Sequence, residues 1–463
     1  MAQQVARASG PAAAAAARAV ARRRRAEATA FLAGFVRTPS LTGEEGPGQE
    51  YLARRLDALG LTVETGEPDV ERLFRRFPAV AQYPTHWQHD LILPYEALPT
   101  FESLQASGLE TVLHYRGRPN LWARRTGTGG GRSLILNGHV DTVTVEPRGA
   151  WTRDPFGAAI EDGLLYGRGA ADMKAGLSAA VEALACLTEA GVRLRGDVLL
   201  QSVVNEEHAG NGTLDLVARG QSADAALVLE PTECRLFVTA PGGLYWELEV
   251  PGVPTSPGAR WQGTRQVGVS AVEKLPAAIG ALLAVEREYN ARPAHPLHRE
   301  GNPFALVLGK VTGGHYETVT ALSATLRGSA YFAPGSGEIA DVMAAMRAAV
   351  ARLNAADPFL TAHPARLRFL HHDDGVAQPA ALPFAAEVTV ALGAAGIAAA
   401  PSGGPFCCDI RHLVNQGGMP AAIFGPGSIG RAHRPDEFVP LAEYHAAIEG
   451  LIELLVRWCG ILE

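Results

Sequence analysis

The chain carries a His and two carboxylates in two Gly-flanked loops. Leu136-Asn137-Gly138-His139-Val140-Asp141-Thr142 follows an apolar run, and so does Leu165-Tyr166-Gly167-Arg168-Gly169-Ala170-Ala171-Asp172-Met173-Lys174. This is how a metal site is mounted on a sheet edge, with a rigid strand behind and the ligand in the turn. Asn205-Glu206-Glu207, then Glu230, then Ala432-His433-Arg434-Pro435-Asp436-Glu437 follow. Two His and several carboxylates form a ligand set suited to a two-metal hydrolase.

His139 and Asp141 are two residues apart, so on a strand end they point the same way. Asp141 is then placed to accept from the imidazole and fix its tautomer. Glu206 and Glu207 are adjacent acids at the end of an apolar strand, where a purely structural chain has no use for mutual repulsion. Neighbouring side chains diverge, so one can bind a cation while the other faces a water; which does which stays open here. No Gly-x-Ser-x-Gly elbow occurs, which removes the usual serine-hydrolase reading.

The order and spacing of these five motifs, with the early Pro39-Ser40-Leu41-Thr42-Gly43-Glu44 turn, resemble the M20 metallopeptidases. That group includes acetylornithine deacetylase, succinyl-diaminopimelate desuccinylase and glutamate carboxypeptidase. The likeness runs from about Phe31 to the C-terminus. It implies two divalent ions, Zn²⁺ first, with Co²⁺ or Mn²⁺ open. By resemblance His139, Glu230 and the bridging Asp172 hold one ion, and His433, Glu207 and the same Asp172 hold the other. Asp141 orients His139, Glu206 is the general base of amide hydrolysis, and a cis peptide is implied at Asp172-Met173.

The resemblance also implies an α/β fold: a zinc-exopeptidase-like, mostly parallel catalytic sheet with an inserted ferredoxin-like lid that dimerises. The lid departs from its relatives. Where they read Gly-x-x-x-His-Ala, this chain reads Gly252-Val253-Pro254-Thr255-Ser256-Pro257, so Ser256 replaces the His that donates to the oxyanion. Thr318 and Tyr331 stand where many relatives have Asn and Arg, and His315 is a candidate substitute donor. The expected function is a metal-dependent amidohydrolase acting on an N-acyl amino acid or related small amide. The alternative is a relative with a rewritten lid that binds metal and ligand but hydrolyses poorly or performs another acyl reaction.

Strands and helices alternate through the first half: strands over Asn120–Arg124, Leu134–Leu136, Asp197–Val204 and Ala225–Leu229, and a helix over Ala175–Ala190. That alternation implies a parallel sheet covered on both faces. After Pro241-Gly242-Gly243 the order becomes strand-helix-strand-strand-helix-strand, a ferredoxin-like sandwich. The expected division is an Ala/Arg-rich leader at 1–28, a catalytic domain at 29–242 and 375–463, and a lid at 243–374. The leader reads as a solvated helix. Residues 68–118, with His86, Trp87 and His89, read as an insertion over the sheet.

The chain has 463 residues, 47% of them hydrophobic, and a net charge of −7. That balance gives no general attraction to nucleic acid or acidic membranes. No apolar run approaches a membrane span, and five Cys in this length are no disulfide framework. The expectation is a cytoplasmic enzyme with a small-molecule amide substrate, no nucleic-acid or membrane partner, and a homodimer through the lid.

Overall fold

A computed structural model describes residues 9–78, 80, 101–106, 114–293, 295–298, 303–335 and 337–462. His86, Trp87 and His89 lie outside the described residues. The chain divides into two compact units, one of residues 1–90, 101–239 and 378–463 and one of 91–100 and 240–377.

The first unit is built on an eight-stranded sheet. Its strand order is Thr62–Gly66, Asn120–Arg125, Val198–Val203, Leu134–His139, Ala226–Val228, Ala421–Ile423, Leu236–Thr239, Pro401–Gly403. The middle four strands pair in parallel. Every residue of Leu134–His139 and Val198–Val203 is buried, as expected of parallel strands with both faces covered. The helices Ala175–Glu189 and Asn211–Ala218 form the crossovers between them. Parallel strands bring their carboxyl ends to one edge, where α/β folds place ligands. His139, Glu206, Glu207, Glu230 and the Gly425–His433 turn all follow such ends.

The basic N-terminal segment is not a solvated leader. Helix Gly10–Arg23 buries Ala13, Ala14, Ala17, Val20 and Ala21 on one face, and these small side chains allow close packing on helices Ala175–Glu189 and Leu441–Cys459. Arg18 pairs with Glu449 and Glu453, and Arg24 with Glu182 and Glu189. The basic block thus neutralises acids of two other helices. The Ala repeat marks a helix interface.

The second unit is the ferredoxin-like sandwich. Its antiparallel sheet has the order Phe304–Gly313, Ser323–Phe332, Gly242–Pro251, Arg366–Asp373. Alternate residues Leu244, Trp246, Leu248 and Val250 are buried, under the helices Ala271–Asn290 and Ile339–Ala356. No helix among the described residues is long and apolar enough to cross a membrane.

Candidate metal centre

His139 ends its strand, and its approach to the crossover is tight. A Cβ on Gly138 would lie 2.7 Å from Met173 Cε, while the His139 N–H donates to Met173 Sδ at 3.2 Å. The imidazole Nε2 lies 3.1 Å from Asp172 Oδ1 and 3.7 Å from Glu230 Oε1. On the other side, His433 Nε2 lies 3.3 Å from Asp172 Oδ2 and 2.9 Å from Glu207 Oε2. The two imidazoles therefore address different oxygens of one carboxylate. Glu206 Oε2 approaches His139 Nε2 at 3.9 Å. The ligand atoms of His139, Glu206 and Glu230 all lie within 4.8 Å of one another, as do those of His139, Asp172 and Glu207. Asp172-Met173 is a cis peptide.

The Asp141 carboxylate lies 3.6 Å from His139 Nδ1, but the hydrogen bond to that nitrogen is made by the main chain of Asp141. The His139 Nδ1–H donates to the main-chain carbonyl of Asp141 at 2.8 Å, which leaves Nε2 as the free ligand atom. The Asp141 carboxylate instead accepts from Thr42 Oγ1 at 2.9 Å and from the N–H groups of Glu206 at 3.2 Å and Glu207 at 3.3 Å. It fixes the turn that presents both acids. Asn205 and His433 hold left-handed φ values of 64° and 60°, the kind of local strain that clusters at functional sites.

Asp141, Asp172, Glu206, Glu207 and Glu230 are all largely buried, five acids against two imidazoles. Burial drives Glu206 well above the ordinary carboxyl range, with repulsion from Asp409 and Glu207 adding to it. Burial and the charge of Asp172 do the same to Glu230. Burial opposes charging of His433, yet its bonds to Asp172 and Glu207 raise it to about 11. Burial likewise opposes charging of His139, and Glu230 and Asp172 raise it all the same. The site calls for positive charge that its own side chains do not supply. Divalent cations meet that demand, and oxygen-rich, His-containing donors fit them.

Sequence reasoning missed a group that holds Asp172 in place. Strand Phe438–Pro440 pairs with Leu164–Tyr166, which brings Glu437 beside the Asp172 loop. Its buried carboxylate accepts from the N–H groups of Ala171 at 2.9 Å and Asp172 at 3.1 Å, and pairs with Arg168 Nη1 at 2.6 Å. The signal was present in Pro435-Asp436-Glu437, an acid just beyond His433, but its target is 265 residues away. The segment Asp409–His412 also borders the site. Its Asp409 and Arg411 both act on Glu206 electrostatically.

The remaining candidates belong to the second unit. Ser256 is exposed at the start of the short turn Pro257–Ala259. His315 and Thr318 are exposed in the loop after Phe304–Gly313. That loop is tied to the Ser256 segment by the Thr255 N–H donating to Thr320 Oγ1 at 2.8 Å. Tyr331 lies apart from them on its strand, its hydroxyl 3.0 Å from that of Tyr245.

The family model described as peptidase family M20/M25/M40 matches residues 135–457. An N-formyl-4-amino-5-aminomethyl-2-methylpyrimidine deformylase of Bacillus subtilis is 30% identical over 380 residues, 75% of this chain and 84% of the relative. A succinyl-diaminopimelate desuccinylase of Leptothrix cholodnii is 46% identical over 121 residues, 25% of this chain and 32% of the relative. In fold, the chain is similar to the dipeptidase Dug1p of Saccharomyces cerevisiae, with a TM-score of 0.71 at 12% identity, covering 97% of this chain and 99% of that one.

Proposed function

The chain belongs to peptidase family M20/M25/M40, and from that membership we propose that this amide hydrolase removes a small acyl group from an amine lacking a free α-carboxylate. The observation that carries the reading is the placement of His139 and His433 on opposite oxygens of Asp172. That is the arrangement in which one carboxylate serves two cations. His139, Glu230 and Asp172 would hold one ion, and His433, Glu207 and Asp172 the other. Bound there, such ions supply Lewis acidity to the amide carbonyl and acidify a water. Zn²⁺ suits the donor set.

The chain's own residues do the rest. Glu206, held by its N–H on Asp141, takes the proton of the attacking water and returns it to the leaving nitrogen. Glu437 fixes the Asp172 main chain, and Asp141 fixes the Glu206-Glu207 turn. For the substrate, the likeness to a deformylase over three quarters of this chain supports a small acyl group on a heteroaromatic amine. The replacement of the expected lid Asn and Arg by Thr318 and Tyr331 supports loss of a carboxylate subsite. The lid also supports a homodimer. Strand Phe304–Gly313 ends the lid sheet, with Val307 49% and Val311 55% exposed, an edge that pairing with a second copy would cover.

The test is turnover of a panel of N-formyl, N-acetyl and N-succinyl amines and amino acids with Zn²⁺, Co²⁺ or Mn²⁺ supplied. Formylated or acetylated amines without a carboxylate should turn over best, and Glu206→Gln should retain metal while losing at least about 10²-fold in kcat. Preference for N-acyl amino acids would reject the substrate assignment. Full activity in Glu206→Gln would reject the base.

A further inference from the structure

We infer that Asp409, together with His412, is a positioning residue that clamps the far end of the turn presenting Glu206. The inference rests on the reading of Glu206 as the base. The turn is held at its start, where the Asp141 carboxylate accepts the N–H groups of Glu206 and Glu207. It closes at its end, where the N–H groups of Ala209 and Gly210 donate to the Asn205 carbonyl at 3.2 and 2.9 Å. Gly210 takes a left-handed φ of 65°, and a Cβ there would lie 2.3 Å from Asp409 Oδ1 and 2.6 Å from His412 Nε2. The carboxylate and the imidazole thus press directly on the residue that ends the turn, and the imidazole also faces the Ala209 main chain.

A buried relay holds Asp409 there. Its Oδ2 accepts from Thr213 Oγ1 at 2.6 Å, and Thr213 Oγ1 accepts from Asn137 Nδ2 at 3.0 Å. Thr213 is in the first turn of the helix that follows the Glu206 turn. Asn137 precedes His139 by two residues on the same strand and the same face. Asn137, Thr213, Asp409 and His412 are each at most 1% exposed. One chain of hydrogen bonds therefore links the His139 strand, the helix after Glu206, and Asp409. Buried networks of this kind have few alternative pairings and specify one geometry. Asp409 Oδ1 has no hydrogen-bond partner among the described residues. A buried carboxylate oxygen left so is costly, and here it is set against Gly210.

The experiment uses the metal-supplied full chain with Asp409→Ala, Asp409→Asn and Thr213→Val, reading hydrogen exchange at Ala209 and Gly210 beside kcat and KM. Asp409→Ala should raise exchange at both amides at least about tenfold and lower kcat by about 10–10²-fold, the range of a displacement near 1 Å. KM should stay at the wild-type level. Asp409→Asn, whose amide oxygen still accepts from Thr213, should restore most of both. In a Glu206→Gln background Asp409→Ala should no longer change the residual rate. If Asp409→Ala does not fold, Thr213→Val should show the same changes in the same direction. Unchanged exchange in the variants, or Asp409→Asn as impaired as Asp409→Ala, would overturn the clamp. Absence of amide turnover by the wild-type protein would overturn the reading of Glu206 instead, since exchange reports the clamp without catalysis.

Discussion

Removing the Glu437 side chain should damage stability and metal binding together, and the structure separates the two effects. The Arg168–Glu437 pair lies at 2.6 Å with side-chain exposures of 3% and 0%. Truncation to Ala strands a buried guanidinium, which costs about 3–5 kcal/mol. The N–H groups of Ala171 and Asp172 lose a charged acceptor as well, at about 1–3 kcal/mol for each group left unpaired. Against a typical total of about 5–15 kcal/mol, Glu437→Ala should be close to unfolding in the metal-free protein. Glu437→Gln keeps an oxygen for the two N–H groups and loses only the charge, so it should fall between. The assay is urea denaturation without metal, since bound ions would mask the loss by mass action, followed by chelator competition with metal present. Metal affinity should drop about 10–100-fold in Glu437→Ala, the usual effect of removing a group that orients a ligand. Arg168→Met combined with Glu437→Leu should recover much of the stability, because a buried pair replaced by apolar groups costs little. It should leave metal affinity low, because Asp172 still lacks its acceptor. A Glu437→Ala protein with wild-type urea midpoint and wild-type metal affinity would refute this account.

Asp172→Ala should lose both ions, measured by elemental analysis after dialysis, because both imidazoles address that one carboxylate; retention of full occupancy would remove the bridging role. Ser256→His should raise hydrolysis of N-acyl amino acids far less than the roughly 10²–10³-fold that one oxyanion donor supplies, since Thr318 and Tyr331 also depart from the amino-acid-binding pattern; a gain of that full size would mean the lid is only impaired. Burial holds the His445 imidazole at about 4, below its ordinary 6.5, with Arg25 adding to the shift. The unfolded chain therefore takes up the proton first: this contribution is whole above about pH 6.5 and is lost as pH falls toward 4. His445→Gln should flatten the acid limb of stability against pH over that window, and an unchanged limb would contradict the burial argument.

The candidate ligands His139, Glu207 and Glu230 were legible in the chain because each sits at or just after the end of an apolar strand. A strand end needs only local pattern to be recognised, and parallel strands bring all such ends to one edge. The change from strand-helix alternation to the ferredoxin-like order was legible for the same reason: periodicity is a local property. The roles of the supporting groups were not. Asp141 reads from sequence as the partner of His139; its main-chain carbonyl makes the hydrogen bond, and its carboxylate, 3.6 Å from the same nitrogen, also accepts from the Glu206 and Glu207 amides. The Ala- and Arg-rich start reads as a solvated helix, since its burial depends on Glu449, Glu453 and Glu182, which lie far along the chain. Glu437 reaches Asp172 only because Phe438–Pro440 pairs with Leu164–Tyr166, and Asp409 is set against Gly210 with its other oxygen held by Thr213. Strand pairing and helix docking decide these contacts. They join residues from 65 to 431 positions apart, so sequence spacing carries no trace of them, and the donors and acceptors find their partners only when the layers close.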